Sequence, residues 1–356
     1  MATNFDRPLI LGIETSCDDT ACALLDGAGR VLSSAVSSQN VAHRPFGGVV
    51  PEIASREHLS NWPAVSSQAL EDAGLTMVDV DAVATTRGPG LVGCLLVGLS
   101  IGRAVAFALD RPFHGMHHLE GHLYSPFLSA QGEPAEDVPE SFLGLVVSGG
   151  HTSLLDVDGG KVTSLIETRD DAMGEVFDKV GKRLGLSFPQ GPLVDKLAEK
   201  GQASKTLFKV PPMKDGEMFF SFSGLKSQTI REIQKLEQHG DLEPGTPVDS
   251  LPQSALDLMA SFRGAAVRQI LDRLRRIHDR RPIDTLAVSG GAAANALLRR
   301  ELVRWAEGSG VNLRLVPLKF SGDNAAMIAF AALIRQRRGI SDDPLDTVVA
   351  SRIPFD

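Results

Sequence analysis

Closely spaced histidines are the residues in this chain most able to do chemistry. His118 and His122 are four positions apart, so a helix over this stretch would place both imidazoles on one face, one turn apart. That spacing suits two ligands of a single metal ion. His114 and His117 fall within the same nine positions. Two ligands do not complete a site, and the alternative is that these histidines only pack and form hydrogen bonds.

Asp323 is the candidate for a third ligand. It lies just before an apolar helical pattern over residues 325–334. An aspartate at such a place commonly caps the helix, and it can equally supply a carboxylate to a metal. Two histidines and one carboxylate would leave coordination positions open, as in a Lewis-acid site rather than a structural one.

Composition predicts a cytoplasmic protein of two lobes with no membrane association. The chain has 356 residues, 43% of them hydrophobic and 22% charged, which is ordinary for a soluble globular protein. Three cysteines without a close CxxC pair fit a reducing compartment, and no secretory signal is predicted. The apolar run over residues 91–109 contains glycines and Arg103, and we interpret it as a buried helix.

The net charge of −8 argues against a basic domain that binds nucleic acid by itself. A role in nucleic-acid chemistry would therefore need basic surface from a partner or a local basic face. Arginine-rich runs at 273–281 and 335–338 are candidates for such a face, although solvated helix surface is the favoured interpretation of both.

An internal repeat predicts a duplicated α/β fold. A shift of 132 positions aligns a strand, a polar turn, a second strand and an Asp-Gly turn in each half. The aligned pairs are Gly12 with Gly144, Ser16 with Ser148, Thr20 with Thr152, Asp26 with Asp158 and Gly27 with Gly159. Each half later offers a strand that enters a glycine-rich loop. We therefore expect two lobes, each with a mixed sheet flanked by helices, and a central cleft.

Three polar turns follow predicted strands and suit phosphate. They cover residues 15–20, 148–152 and 289–292. Backbone N–H groups in such turns and at helix N-termini bind anions. One Ser-Gly-Gly turn is a weak indication, because glycine there also serves merely to allow positive φ. The symmetric set predicts nucleotide binding.

Seven ordered motifs across almost the whole chain resemble the TsaD family, the tRNA N6-adenosine threonylcarbamoyltransferases. They are IETSCDDT (13–20), HLEGH (118–122), VSGGHT (147–152), FDK (177–179), SFSGLK (221–226), SGG with Asn295 (289–295) and GDN (322–324). The resemblance implies the duplicated fold of actin, hexokinase and the heat-shock ATPases. We expect an N-terminal lobe of residues 1–125 plus about 325–356, with the metal ligands and a partner interface. The C-terminal lobe, residues 126–324, would bind the adenylate and contain a helical insertion at 170–260.

The resemblance also implies residue roles. His118, His122 and Asp323 would hold one Fe²⁺, with Zn²⁺ possible. The nucleotide part of the substrate would lie against Val146, Val147, Ser148, Gly149, Gly150, Asp178, Gly191, Asp195 and Asn295. The chain has Gln190 where the family often has glycine. Glu14 and Asp18, in the first hairpin, are candidates for the general base.

The implied reaction transfers the threonylcarbamoyl group from threonylcarbamoyl-AMP to N6 of adenosine 37, in tRNAs that read codons beginning with A. The implied partners are tRNA, a TsaB paralogue, the TsaE ATPase and a separate TsaC-type synthase that supplies the adenylate. The helix containing Gly93, Leu96 and Val97 is a candidate interface for the TsaB paralogue, with core packing as the alternative.

Three other functions remain open on the sequence. A metalloprotease would need a glutamate directly after the first histidine, as in HExxH, and Leu119 stands there. A kinase or ATPase of the same fold predicts a magnesium site rather than a histidine pair. A nucleotide-binding scaffold would leave the histidine pair without a chemical role.

Overall fold

The computed structural model describes residues 5–204, 206–211 and 217–355, and the chain divides into two compact units. Unit 1 contains the described residues up to Glu140, Gly159–Val162 and those from Val316 onward; unit 2 contains Ser141–Asp158 and Thr163–Leu315, less the undescribed residues.

The division into units differs from the expected lobe boundaries at three places. Residues 126–140, 159–162 and 316–324, Asp323 included, belong to unit 1 and not to the second lobe. The first of these segments is held by backbone hydrogen bonds, from Gly132 N to Val31 O at 3.1 Å and from Ala135 N to Ala28 O at 3.2 Å. Sequence position alone gave no sign of those contacts.

The first sheet has five strands in the order β3-β2-β1-β4-β5. They are β1 Ile10–Glu14, β2 Asp19–Leu25, β3 Val31–Ser38, β4 Ala82–Gly88 and β5 Phe113–His117. The first three form an antiparallel meander, whereas β4 and β5 run parallel to β1. Strand β1 is buried throughout, as expected for a strand covered on both faces.

The second sheet repeats this plan in the order β10-β9-β6-β7-β8. Its strands are β6 Ser141–Val147, β7 Thr152–Asp158, β8 Lys161–Glu167, β9 Thr285–Ser289 and β10 Asn312–Leu315. In the first hairpin Gly12 is opposite Ala23, and in the second Gly144 is opposite Leu155, so the shift of 132 positions preserves the register. The predicted duplication is confirmed.

The described residues contain ten α-helices. They are α1 Asn40–His43, α2 Pro51–Ala73, α3 Val92–Leu109, α4 His118–Tyr124, α5 Met173–Arg183, α6 Gly191–Glu199, α7 Ser223–His239, α8 Gln253–Arg280, α9 Ala296–Ser309 and α10 Ala325–Arg337. Helices α5 to α8 lie between β8 and β9. The expected insertion at 170–260 therefore ended too early, inside α8.

Helix α3 packs closely on the first sheet through glycines. A Cβ at Gly98 would collide with Thr15 Oγ1, and one at Gly102 with Thr85 Oγ1. By length and composition alone α3 could cross a membrane, with a third of it buried in the structure, but this packing is typical of a core helix. Its opposite face is exposed at Leu96 (48%) and Phe107 (77%), so the expectation of a buried helix holds for one face only.

Three arginines from the two arginine-rich runs serve the fold. Arg273 is buried and donates to the carbonyl oxygens of Phe219 (3.1 Å) and Pro211 (2.9 Å). Arg335 pairs with Glu120, and Arg338 donates to the Tyr124 hydroxyl at 2.7 Å. The interpretation of both runs as solvated faces is wrong for these three side chains.

The packing of α3 predicts unequal effects of two glycine substitutions on the same helix. Gly102→Ala should lower the free energy of unfolding by about 1–3 kcal/mol, because its Cβ has no space against the sheet. Gly93→Ala should leave it unchanged or raise it by up to about 1 kcal/mol, because its Cβ would meet only Ser55 at 3.4 Å and alanine favours the helix. Urea denaturation of both variants checks this, and equal effects would contradict the packing.

Candidate functional site

Three parallel strands of the first sheet end at one edge, where their last residues come together. Glu14 ends β1, Thr86 lies near the end of β4, and His118 directly follows β5. Ligands of open α/β sheets commonly bind at the carboxyl ends of strands. This edge is therefore the natural place for a site in unit 1.

Helix α4, which carries both predicted histidine ligands, is fixed against α10. His117 caps it, because its Nδ1 accepts from Leu119 N at 3.1 Å. Gly121 leaves space for Ile328 and Met327 of α10.

The Glu120 carboxylate on α4 is also committed to α10. It accepts two-pronged hydrogen bonds from Arg335, the shortest at 2.6 Å. Glu120 is therefore a structural partner of α10 and not a base that activates water.

The predicted metal ligands converge. His122 Nε2 lies 3.1 Å and His118 Nε2 lies 3.7 Å from Asp323 Oδ1. One ligand atom from each residue lies within 4.8 Å of the others. Asn324, not Asp323, caps α10, since its side chain accepts from Met327 N at 3.0 Å. Of the two interpretations of Asp323, the structure thus rejects the helix cap.

This donor set fits a metal ion. Two imidazole nitrogens and one carboxylate suit Fe²⁺ or Zn²⁺. His118 Nδ1 lies 3.1 Å from Glu14 Oε2, which leaves Nε2 to face Asp323, and such a carboxylate partner usually orients a ligating histidine. The buried Nδ1 of His122 has no hydrogen-bond partner among the described residues.

Glu14 is fully buried and its carboxylate is completely engaged. It accepts from Ser16 N at 2.5 Å and from the Thr86 hydroxyl at 2.6 Å, besides its contact with His118. Burial acts to raise the pKa of Glu14, but the charge and hydrogen bond of His118 outweigh it and keep that pKa below its usual value. The structure therefore places Glu14 behind His118.

Protonated His118 is stabilised by the acids around it. Burial alone lowers the pKa of His118, but the charges of Asp323 and Glu14 raise it to about 9. Without a metal, His118 therefore carries a proton at neutral pH.

Two neighbouring carboxylates lie where the turn after β1 meets β2: Asp18 is the last residue of the turn, and Asp19 is the first residue of β2. Burial raises the pKa of Asp18, and the charge of Asp323 adds to this effect. Burial, with the charges of Asp323 and Asp18, raises the pKa of Asp19 to about 7. Sequence reasoning named Asp18 and missed Asp19, although the adjacent pair was visible in the motif.

The other two clustered histidines serve the fold. His114 Nε2 lies 2.8 Å from the Gln336 side-chain amide. His117 lies 3.2 Å from the Ile353 carbonyl oxygen and stacks on Phe355 with ring centroids 4.2 Å apart. Both lie in β5 rather than in the ligand set.

In unit 2 the two predicted glycine-rich turns meet at the carboxyl ends of β6 and β9. Gly290 has φ of +95°, and a Cβ there would collide with Val147 O. Ser148 closes its own turn, since its N–H donates to His151 O at 2.8 Å and its hydroxyl accepts from His151 N at 3.1 Å. Val146 is buried in β6. Gly149 and Gly150, which follow Ser148 in the turn, are exposed.

The remaining predicted residues of unit 2 form hydrogen bonds at the N-terminal ends of α6 and α9. Asp178 Oδ1 accepts from the backbone N–H of Gln190 (2.9 Å) and Gly191 (2.7 Å), at the start of α6. Asp195 Oδ1 accepts from Asn295 Nδ2 at 2.7 Å, and Asn295 in turn caps α9.

Asp195 also has a charged partner that sequence reasoning missed. Buried Arg263, on α8, lies 2.9 Å from Asp195 Oδ1. No local pattern marked this arginine, because its partner is 68 positions away.

Comparison with known proteins decides the family. The family model described as tRNA N6-adenosine threonylcarbamoyltransferase, TsaD, matches residues 30–330. The chain belongs to the TsaD family. A curated member from Pelobacter propionicus is 46% identical over 90% of both chains. Another, from Geobacter metallireducens, is 42% identical over 96% of this chain and 98% of its own length. The predicted family and its acyltransferase class are confirmed.

Solved structures confirm the fold class of this TsaD family member. HypF from T. kodakarensis has a TM-score of 0.60 at 14% identity, covering 94% of this chain and 48% of its own. Component A of the Acidaminococcus fermentans (R)-2-hydroxyglutaryl-CoA dehydratase has a TM-score of 0.50 at 14% identity, covering 94% of this chain and all of its own. These similarities show the duplicated α/β fold, and at such identity they show the fold alone.

Proposed function

We propose that this TsaD family member transfers the threonylcarbamoyl group from threonylcarbamoyl-AMP to N6 of adenosine 37, in tRNAs that read codons beginning with A. Family membership over residues 30–330 supports this, and the convergence of His118, His122 and Asp323 is the observation in the structure that carries it. A kinase or ATPase would favour oxygen ligands for magnesium, and a metalloprotease would need a base beside the histidine pair.

The three ligands would hold Fe²⁺, or Zn²⁺ in its place. When bound, a metal ion at this edge supplies a Lewis acid to the acyl group of the adenylate. That help matters because N6 of adenosine is a weak nucleophile, with its lone pair delocalised into the ring. Glu14 contributes by holding His118 through Nδ1.

The proton lost from N6 would go to the turn after β1. The Glu14 carboxylate is buried behind three hydrogen bonds, so Asp18 and Asp19 are the better candidates. Burial, with the charges of Asp323 and Asp18, raises the pKa of Asp19 to about 7. A cation held by Asp323 would remove the contribution of that charge, and burial and Asp18 would remain as causes of the raised pKa.

The adenylate would bind the edge of the second sheet. The exposed turn at Gly149 and Gly150 offers backbone N–H groups to the phosphate, whose charge grows as AMP leaves. Asp178, Asp195 and Asn295 would shape this edge by fixing the starts of α6 and α9.

A TsaB paralogue would dock on the apolar face of α2 and α3, where Leu59 (64%), Leu96 and Phe107 are exposed. The net charge of −8 suggests that partner proteins supply the basic surface for tRNA. We also assign the TsaE ATPase and a TsaC-type synthase as partners by family. The three free cysteines suit a cytoplasmic protein.

The proposed reaction is tested with unmodified tRNA, threonylcarbamoyl-AMP and the partner proteins, read by nucleoside mass spectrometry. The wild-type chain should form threonylcarbamoyladenosine. His118→Ala and Asp323→Asn should each reduce the rate at least about a hundredfold, because a Lewis acid contributes several kcal/mol. His239→Ala, an exposed histidine at the end of α7, is the control and should be fully active. Full activity of a variant that has lost its metal would refute the metal's role.

Metal affinity should depend on pH in a defined direction. His118 keeps its proton up to its pKa of about 9, and binding must displace that proton. Zn²⁺ affinity should therefore rise about tenfold per pH unit from pH 7 to 9 and then level off. Competition with a buffered chelator measures it. Glu14→Gln removes one of the charges that raise this pKa, so its affinity should level off at lower pH; a flat profile in the wild type would contradict the prediction.

The proposed docking face predicts a selective loss of complex. Leu96→Asp places a charge in the apolar face of α3 and should weaken binding of the TsaB paralogue at least about tenfold. Val303→Asp is the matched control, because Val303 is an exposed valine on α9 in unit 2. Isothermal titration calorimetry compares the two. Equal affinities would place the interface elsewhere.

A further inference from the structure

The turn between β1 and β2 is contacted by a buried histidine that has no role in the proposed reaction. His58 lies on α2 and is completely buried. Its Nε2 is 3.0 Å from the carbonyl oxygen of Cys17, and its Nδ1 is 2.8 Å from the hydroxyl of Thr20. These two partners flank Asp18 and Asp19 on both sides.

The hydrogen bonds define the tautomer of His58. A carbonyl oxygen only accepts, so Nε2 must carry the hydrogen and donate to Cys17. Nδ1 is then an acceptor for the Thr20 hydroxyl and for the Gln39 amide nitrogen at 3.2 Å. Burial also lowers the pKa of His58, which favours this neutral form.

A second buried histidine fixes the same network. Gln39 Nε2 donates to Ala54 O at 3.2 Å, so its Oε1 faces His43 Nε2 at 3.1 Å. His43 Nδ1 accepts from Val50 N at 3.3 Å. Every donor in this network has an acceptor: Gln39 Nε2 faces both Ala54 O and His58 Nδ1, and that Nδ1 is shared with the Thr20 hydroxyl. These contacts fix the orientation of the His58 ring.

We infer that His58 is a positioning residue that ties the turn carrying Asp18 and Asp19 to helix α2. This inference rests on the proposed function, in which that turn accepts the proton from N6, and it adds a residue to it. Leu59, the next residue on α2, lies on the proposed docking face. One helix therefore holds the turn on its inner side and meets the partner on its outer side.

Two amide substitutions distinguish the contact made by Nε2 of His58 from the contact made by Nδ1. In His58→Gln the side-chain amide reaches the position of Nε2 and keeps the donor to Cys17 O. In His58→Asn the shorter amide reaches only the position of Nδ1, so the bond to Cys17 O is lost. Each variant gives up one side of the ring, and the pair is matched for the loss of the imidazole.

His58→Gln should keep kcat within about threefold of the wild type, whereas His58→Asn should lower kcat at least about tenfold, the effect of one lost interaction of about 1.4 kcal/mol. KM for tRNA should stay unchanged in both. Equal kcat values for the two variants would overturn the inference, because a merely structural histidine would not distinguish them.

Cys17 reports on the turn without any need for activity. It is partly exposed, whereas Cys22 and Cys94 are buried, but burial and the charge of Asp18 raise the pKa of its thiol well above the usual value. A thiol reagent should therefore modify Cys17 slowly, at a rate that depends on local opening of the turn. His58→Asn should speed modification of Cys17 at least about fivefold, as expected when a local opening becomes easier by about 1 kcal/mol. His58→Gln should react at the wild-type rate. Equal rates in both variants would count against the inference even if the proposed reaction failed.

A measurement on the wild-type protein tests the inference without requiring that any variant folds. Nitrogen-15 NMR of labelled histidine should show His58 as the neutral tautomer with its hydrogen on Nε2 at pH 7. A hydrogen on Nδ1, or a charged ring, would overturn the inference. Failure of the wild type to modify tRNA, with this tautomer present, would instead reject the proposed function alone.

Discussion

The buried contact between Glu14 and His118 is the interaction on which the candidate site depends. A carboxylate without exposure to water is tolerable only when it is paired, and Glu14 is satisfied by His118, Ser16 and Thr86. Those partners come from the ends of β1, β4 and β5, so the contact fixes the edge of the sheet and the start of α4 together. The direction of His118 Nε2 follows from it.

The duplication explains how one architecture provides two opposite electrostatic environments. The shift of 132 positions aligns Glu14 with Val146, Asp18 with Gly150 and Asp19 with His151. The first hairpin thus carries carboxylates at the edge where the histidines lie, which favours a cation. The second has no carboxylate at these three positions and has an exposed glycine turn whose backbone N–H groups favour an anion. The two hairpins therefore share a backbone register but differ in the side chains at its end.

The features that were predicted correctly depend on residues close together in the sequence. The four-residue spacing of His118 and His122 and the repeated strand order required no long-range information, and the structure has both. The assignment of Asp323 to the second lobe failed because its unit depends on how α10 packs on the first sheet. Asp19 and Arg263 were missed for a related reason: their significance comes from burial and from partners distant in sequence. Such contacts leave no periodic signal.

Charge balance relates the protonation of His118 to the ion that the three ligands suit. Glu14 and Asp323 contribute two negative charges around one edge, and protonated His118 compensates one of them. Asp323 also precedes α10, whose N-terminus stabilises a nearby carboxylate. Replacing the His118 proton with a divalent cation would neutralise both carboxylates at once. The raised pKa of His118 and the fit of the three ligands to a dication are therefore two consequences of the same two acids, buried Glu14 and half-buried Asp323.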